Sequence, residues 1–454
     1  MNRRLASDLP IQNPYIDTWK PIEYITDVNS LYIYEIGDKK YFFFGDQHHS
    51  KSEGGCEQKL GIKCDDYNKT FTNGKYYGSS CTSIGILLHN WFTYNRDFHI
   101  NTDFYLELGF TDVDEREGLK ETIREINKLK TIRHYEPSIN FENISWMQLI
   151  GSIMPECFSK IKEKCPYYPN VHSHYADVRF LEDKSGFLHA DPFLLIDLMN
   201  YIKDNFPRTE KRLLKLKDEL SIIMSIIIYD YRELLNAILS PEGFNDFIRE
   251  YTNLSKSFSS DLASIYLSKI INMSKISVMR NGVRMHKAAA ELLRLKEESP
   301  YMAILIEEMI YDKADKYIDE VKILYDDVLD FFESQYYEYG IYEKSVSLME
   351  SLQAITAALV PLSALSMDAY LLARMFLQTE STEIITYAGS AHINHYAQFF
   401  EEYLGVKRLA GVDSELDNRC LDVIDLPKYL DANKYRKYVV NKKYENFREF
   451  HKRS

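Results

Sequence analysis

Two segments of this chain end a β-prone run on the same spacing. Residues 42–49 read FFFGDQHH and residues 385–392 read ITYAGSAH. Each is a strand followed by Gly, two residues and His: Gly45 to His48, and Gly389 to His392. Gly lets the backbone turn sharply where a strand stops. An imidazole three residues on can then project over the sheet edge, where the carboxyl ends of α/β strands bind ligands. Glu107, in DFYLELGF, is a third candidate, because an acid inside an apolar strand is costly unless paired or ligating. Two His and one Glu form a common set for Zn, Mn, Co or Fe. Such a divalent ion lowers the pKa of a bound water and makes it a nucleophile. Asp46 is placed to be a further ligand, a general base or an orienter of His. Without an ion, the same groups can work as a His base with a Glu or Asp partner. The expectation is geometric: His48, Glu107 and His392 converge in one cleft, with Asp46 beside them.

A second tier surrounds these. His49 is adjacent to His48 and points elsewhere if the segment is still extended. ADVRF supplies Asp177 and Arg179, with His172 and His174 just before. SMDAYLLARMF supplies Asp368 and Arg374 on an apolar helix, where charges want partners. An Arg near the cleft can bind a substrate carboxylate or phosphate; the plainer expectation is that these groups pair with one another. His395, one turn from His392, is expected to orient or support rather than to ligate.

The elements that must position these residues lie at both ends of the chain. SLYIYEI and KKYFFFG flank Gly37-Asp38 and read as a hairpin. Residues 82–95 have helical spacing, and 102–110 reads as a buried strand. Residues 114–130 are charged and periodic, as a helix is. A short strand is expected near Ala176–Phe180. Residues 192–377 read almost wholly as helix, punctuated by Pro241, Pro300 and Pro361. A strand returns at 382–389, a helix closed by Gly405 follows, and 419–425 reads as a last strand. The expected fold class is α/β, with α+β the alternative. Its mixed, mostly parallel central sheet is built from N- and C-terminal strands, with a large helical insertion. The expected division is 1–113 and 378–426 as the α/β core, 114–377 as the helical middle and 427–454 as a tail.

GDQHHS, LELG and YAGSAH together resemble the signature of the Tiki/TraB, ChaN and erythromycin-esterase superfamily. Gly45–His48, Glu107 and Gly389–His392 match it in type and order, and Asp46 stands where several members carry an acid. The resemblance implies an α/β core with helical insertions and a cleft at the strand ends. It also implies metal-dependent proteases, His-dependent esterases, haem binders or toxin domains as relatives, so it speaks to the site more than to the substrate. The expected function is metal-assisted hydrolysis of an ester or peptide bond. The alternative is a non-catalytic structural or partner-binding protein that keeps the fold. GDQH also contains the Asp-x-His opening of calcineurin-like metallophosphoesterases, but the GDxxD and GNH[ED] segments of that family are absent from the sequence.

Composition narrows the setting. The 454 residues are 45% hydrophobic and 27% charged, which is globular, and the net charge of −13 argues against general nucleic-acid binding. The tail 427–454 is the exception, with nine Lys/Arg against three acids among Tyr and Phe; it could contact RNA, an acidic partner or an anionic surface. The abundance of Tyr, Lys, Ile and Asn also resembles that of proteins of large DNA viruses. No apolar run follows the basic N-terminus, so an intracellular, cytoplasmic protein is expected. Ser351–Met367 is uncharged but too short and polar for a membrane span, and reads as a buried helix. Of the six cysteines, Cys56, Cys64 and Cys81 share one loop-like region. Reduced thiols are the default expectation, with a structural zinc site and a disulfide as alternatives.

Overall fold

A computed structural model of the chain describes residues 22–46, 55–64, 80–111, 168–183, 186–205, 209–257, 261–334, 341–414 and 419–426. His48, His49, Cys157, Cys165, the periodic 114–130 segment and the basic tail lie outside the described residues. The strands, in chain order, are β1 (Tyr24–Thr26), β2 (Ser30–Ile36), β3 (Lys39–Asp46), β4 (Cys81–Ser83), β5 (Thr102–Thr111), β6 (Val171–Asp183), β7 (Gly186–His189), β8 (Val278–Arg280), β9 (Val283–Met285), β10 (Glu383–Gly389), β11 (Ala410–Asp413) and β12 (Cys420–Asp422).

Seven of them form one mixed sheet in the order β11-β2-β3-β10-β5-β6-β7. The central strands β3, β10, β5 and β6 are parallel, and the flanking pairs are antiparallel. The α/β expectation holds. β2 and β3 form the hairpin read from the sequence, turning at Gly37 with a φ of 63° that suits Gly. The two strand-Gly ends are direct neighbours: Gly45 pairs with Ala388 and Asp46 with Gly389. Neither Gly45 nor Gly389 sits at positive φ, so the sharp-turn reason does not apply. A Cβ at Gly45 would instead lie 2.2 Å from Ser30 Oγ and 3.3 Å from Ser390 Cα, so a side chain there would force Ser30 to shift.

Alternation sends side chains to two cores. Tyr41, Phe43, Tyr105, Ile384 and Ala388 face the helical layer. Phe42, Phe44, Phe104, Leu106, Ile385 and Tyr387 face the Ile84–Phe98 helix, where Phe42 meets Trp91 edge-on at 4.6 Å. The 176–180 segment is not a short strand. β6 runs for 13 residues and carries β7 with it, so part of the expected helical middle completes the sheet. It pairs along β5 and is held there by backbone hydrogen bonds that a periodicity reading does not register.

The helical layer includes Glu210–Tyr229, Lys287–Glu298, Pro300–Ser334 and Ile341–Phe376. Pro300 opens its helix, where the missing N–H costs nothing. Pro361 does not end one: the helix runs through it. Leu348–Phe376 is long and apolar enough to cross a membrane by length and composition, and 72% of its apolar window is buried inside the protein. It is packed as a core helix.

β1, β4 and β12 make a second, three-stranded sheet. There the reduced-thiol expectation fails. Cys56 is bonded to Cys420 and Cys64 to Cys81. All four are buried together, and the Sγ atoms of Cys56, Cys64 and Cys81 lie within 4.8 Å of one another. Sequence spacing missed the first pair because Cys420 is contributed by the far end of the chain. Peptide mapping without reductant should recover those two linked pairs, and Cys420→Ser should cost about 2–4 kcal/mol in urea unfolding. Free thiols at all four positions would contradict the pairing.

Candidate functional site

The parallel strands stop along one edge, and the charged residues gather there. Glu107 lies midway along β5 on the helical face, just past the last residue paired with β10, Asp177 and Arg179 lie on β6, and His392 lies in the helix Ser390–Gln398 that follows β10 directly. Asp368 comes from the opposite layer, on the Ile341–Phe376 helix. Glu107 Oε2 accepts a hydrogen bond from the Gly389 N–H at 2.5 Å. This ties β5 to the start of the helix that follows β10.

Arg179 forms the first half of the network. Its Nε and Nη2 donate to the two oxygens of Asp177 at 2.9 and 2.8 Å, and Nη2 also reaches Glu107 Oε1 at 2.9 Å. Burial alone would lower the Arg179 pKa, but Asp177 and Glu107 raise it overall. This is the paired burial that keeps a guanidinium and two carboxylates inside a protein.

His392 forms the second half. Its Nδ1 is 2.6 Å from Asp368 Oδ1 and its Nε2 is 3.3 Å from Glu107 Oε1. Burial would lower its pKa; Glu107 and Asp368 outweigh that and raise it from 6.5 to about 10. His392 is therefore an imidazolium with both ring nitrogens donating to carboxylates. Asp368, fully buried, is disfavoured as an anion by burial but held well below the carboxylate range by His392 and His395.

His395 shares Asp368 from one turn on. Its Nδ1 is 2.5 Å from Asp368 Oδ2, and its Nε2 is 2.8 Å from the hydroxyl of Tyr317. A carboxylate only accepts, so Nδ1 carries a proton; in the neutral ring Nε2 then accepts from the Tyr317 hydroxyl. Burial, then Asp368 and Glu320, push the Tyr317 pKa up to about 12, which keeps its hydroxyl protonated. His395 and Tyr317 line a cavity of about 490 Å³ together with Lys313, Lys316, Asn394 and Gln398.

No family model matches the chain, and no curated protein or solved structure does either.

The sequence-derived set is therefore divided. Glu107 and His392 come together as expected. Asp46 does not join them: it lies on the face of Phe42 and Phe44, where it accepts from Arg419 Nη2 at 3.0 Å and from the Tyr387 hydroxyl at 3.1 Å. The reason is parity, since Asp46 and Glu107 project to opposite faces of one sheet. Asp177 and Arg179 pair as the plainer expectation had it. Asp368 pairs with two histidines, not with Arg374, whose Nη1 reaches Glu291 at 3.2 Å and whose Nη2 reaches His174 at 3.0 Å. His172 and His174 both contact Asp103, at the other end of β5. Tyr317 and Lys313 were missed. Their segment, DKADKYIDE, reads as a solvated helix face, and only the fold turns it toward Ser390–Gln398.

Of the three expected ion ligands, Glu107 and His392 are brought together, Oε1 to Nε2 at 3.3 Å, and His48 lies outside the described residues. Both nitrogens of His392 face carboxylates, and Glu107 is also paired with Arg179.

The raised pKa of His392 fixes a pH window. A group that binds its proton more tightly when folded contributes its full stability below the unfolded value, 6.5, and loses it as pH climbs through about 10. The stability difference between the wild type and His392→Gln in urea should thus shrink from pH 6.5 to about 10; a flat difference would contradict the imidazolium. Arg179→Met should cost about 3–5 kcal/mol, since it strands Glu107 and Asp177 as buried anions.

Proposed function

We propose that the chain is a hydrolase of ester or amide bonds that uses His395 as a general base. The observation that carries this reading is the line Asp368–His395–Tyr317 ending at the cavity. Its logic is that of a buried carboxylate fixing an imidazole whose other nitrogen faces a hydroxyl. The superfamily resemblance of Gly45–His48, Glu107 and Gly389–His392 supports the same reaction class, which includes His-dependent esterases.

Each residue has a task in this reading. Asp368 orients His395 and stabilises the imidazolium that forms during the reaction. Tyr317 relays. A cavity water hydrogen-bonds to the Tyr317 oxygen and attacks the carbonyl carbon. The water's proton passes to that oxygen while the Tyr317 proton passes to His395 Nε2. The same path, reversed, returns the proton to the leaving oxygen or nitrogen. The pKa of about 12 suits Tyr317 to relaying rather than to attacking as a phenolate. Glu107, Arg179 and His392 act as a fixed base of charge behind Asp368, holding its second oxygen in place.

The two disulfides support an oxidising compartment over the cytoplasm suggested by the N-terminal sequence. The basic tail remains a candidate contact for an acidic partner or RNA on charge alone.

Screening p-nitrophenyl esters and short peptides provides the test. His395→Gln should lower kcat by about 10²–10⁴-fold on whichever substrate is turned over, and Tyr317→Phe should lower kcat with little change in KM. His395→Gln that folds and keeps wild-type kcat would exclude the reading.

A further inference from the structure

Lys313 stands out in the helical layer. It is 8% exposed and lines the same cavity as His395. Among the described residues, its hydrogen-bond partner is the carbonyl oxygen of Gln398, a neutral group. Gln398 is itself aimed, because its amide nitrogen donates to Glu402 Oε2 at 2.6 Å and so turns the oxygen toward Lys313. An ammonium has three protons to donate, and a buried one held by a single neutral acceptor is only partly compensated. Burial lowers the Lys313 pKa, and Asp368 and Glu402 oppose that from a distance without bonding to it. Lys316 adds a second positive charge, exposed, to the cavity lining. The acid in the lining, Asp312, is also exposed, and it accepts from the Tyr403 hydroxyl at 2.9 Å. Lys313 and Tyr317 are four residues apart on the Pro300–Ser334 helix, so they share a face.

We propose that the cavity is an oxyanion-binding site in which Lys313 Nζ holds a carboxylate or phosphate oxygen of the ligand. On the hydrolase reading above, on which this part rests, the substrate is an ester or amide that carries a negative charge near its scissile bond. Lys313 fixes that charge, and the carbonyl then lies toward Tyr317 and His395. The anion completes the donors of a cation already buried, so little reorganisation accompanies binding.

Two readouts test this on the full chain. In calorimetric titrations, succinate and inorganic phosphate are the probes, and the stronger of the two identifies the anion as carboxylate or phosphate. Lys313→Met should weaken the stronger one by about tenfold or more. Lys322→Met, on the same helix and paired with Asp319, should leave it within about twofold. Gln398→Glu gives a second variant that keeps the lysine and places a carboxylate against it; it should abolish anion binding by occupying the ammonium from within. In kinetics, mono-p-nitrophenyl succinate should be preferred over neutral p-nitrophenyl butyrate. Lys313→Met should raise KM about tenfold for the first and leave the second nearly unchanged. Anion binding that depends on Lys313 in a protein without hydrolysis would keep this site and overturn the hydrolase reading. His395-dependent hydrolysis indifferent to Lys313 and to substrate charge would do the reverse. Wild type that binds neither oxyanion, or variants that bind as well as wild type, would overturn the site.

Discussion

Glu107 comes from the sheet and Asp368 from the long helix above it, and both are buried. Neither can stay ionised there without a cation in contact, because water no longer shares the charge. His392 is that cation for both. Its ring spans the layers, with one nitrogen on each carboxylate, and Arg179 offsets the remaining charge of Glu107 and Asp177. The joint between sheet and helices is thus an electrostatic one as well as an apolar one. Removing any one member strands another, so the residues behave as a unit.

That joint fixes the position of everything nearer the cavity. Asp368 has two oxygens; His392 takes one and so orients the other toward His395. His395 and Tyr317 then form a line that leads outward from the buried charges to a space large enough for a small ligand. The histidine that best matches the sequence pattern is the one buried as a support. The histidine one turn later, expected from sequence to orient or support, is the one that lines the cavity. Helical spacing of three residues separates those two tasks by presenting both rings to one carboxylate.

Much of the framework was legible in the sequence because it rests on local rules. Aromatic and β-branched runs marked β2, β3, β5 and β10, and Gly37-Asp38 marked the hairpin. The neighbouring ends of β3 and β10 followed from their shared strand-Gly-x-x-His pattern. What stayed hidden depends on register and on distant pairing. Whether Asp46 shares a face with Glu107 is set by a one-residue register across three strands, which no window along the chain contains. The partnership of Cys56 with Cys420, of Arg179 with Glu107 and of Lys313 with Gln398 joins segments far apart in sequence. β6 was underread for a related reason: its charged and His-rich residues look unlike a strand until β5 is beside them.

The charge state of His392 decides whether a cation joins the sheet to the helices. The direct measurement is nitrogen NMR of the protein labelled at histidine, at about pH 8, with His392→Gln used to assign the signal. Both His392 nitrogens should carry protons at that pH, whereas an ordinary exposed histidine carries one. A His392 signal showing one protonated and one bare nitrogen would contradict it. It would mean that Glu107 and Asp368 are not bridged by a cation, and it would reopen His392 as a ligand.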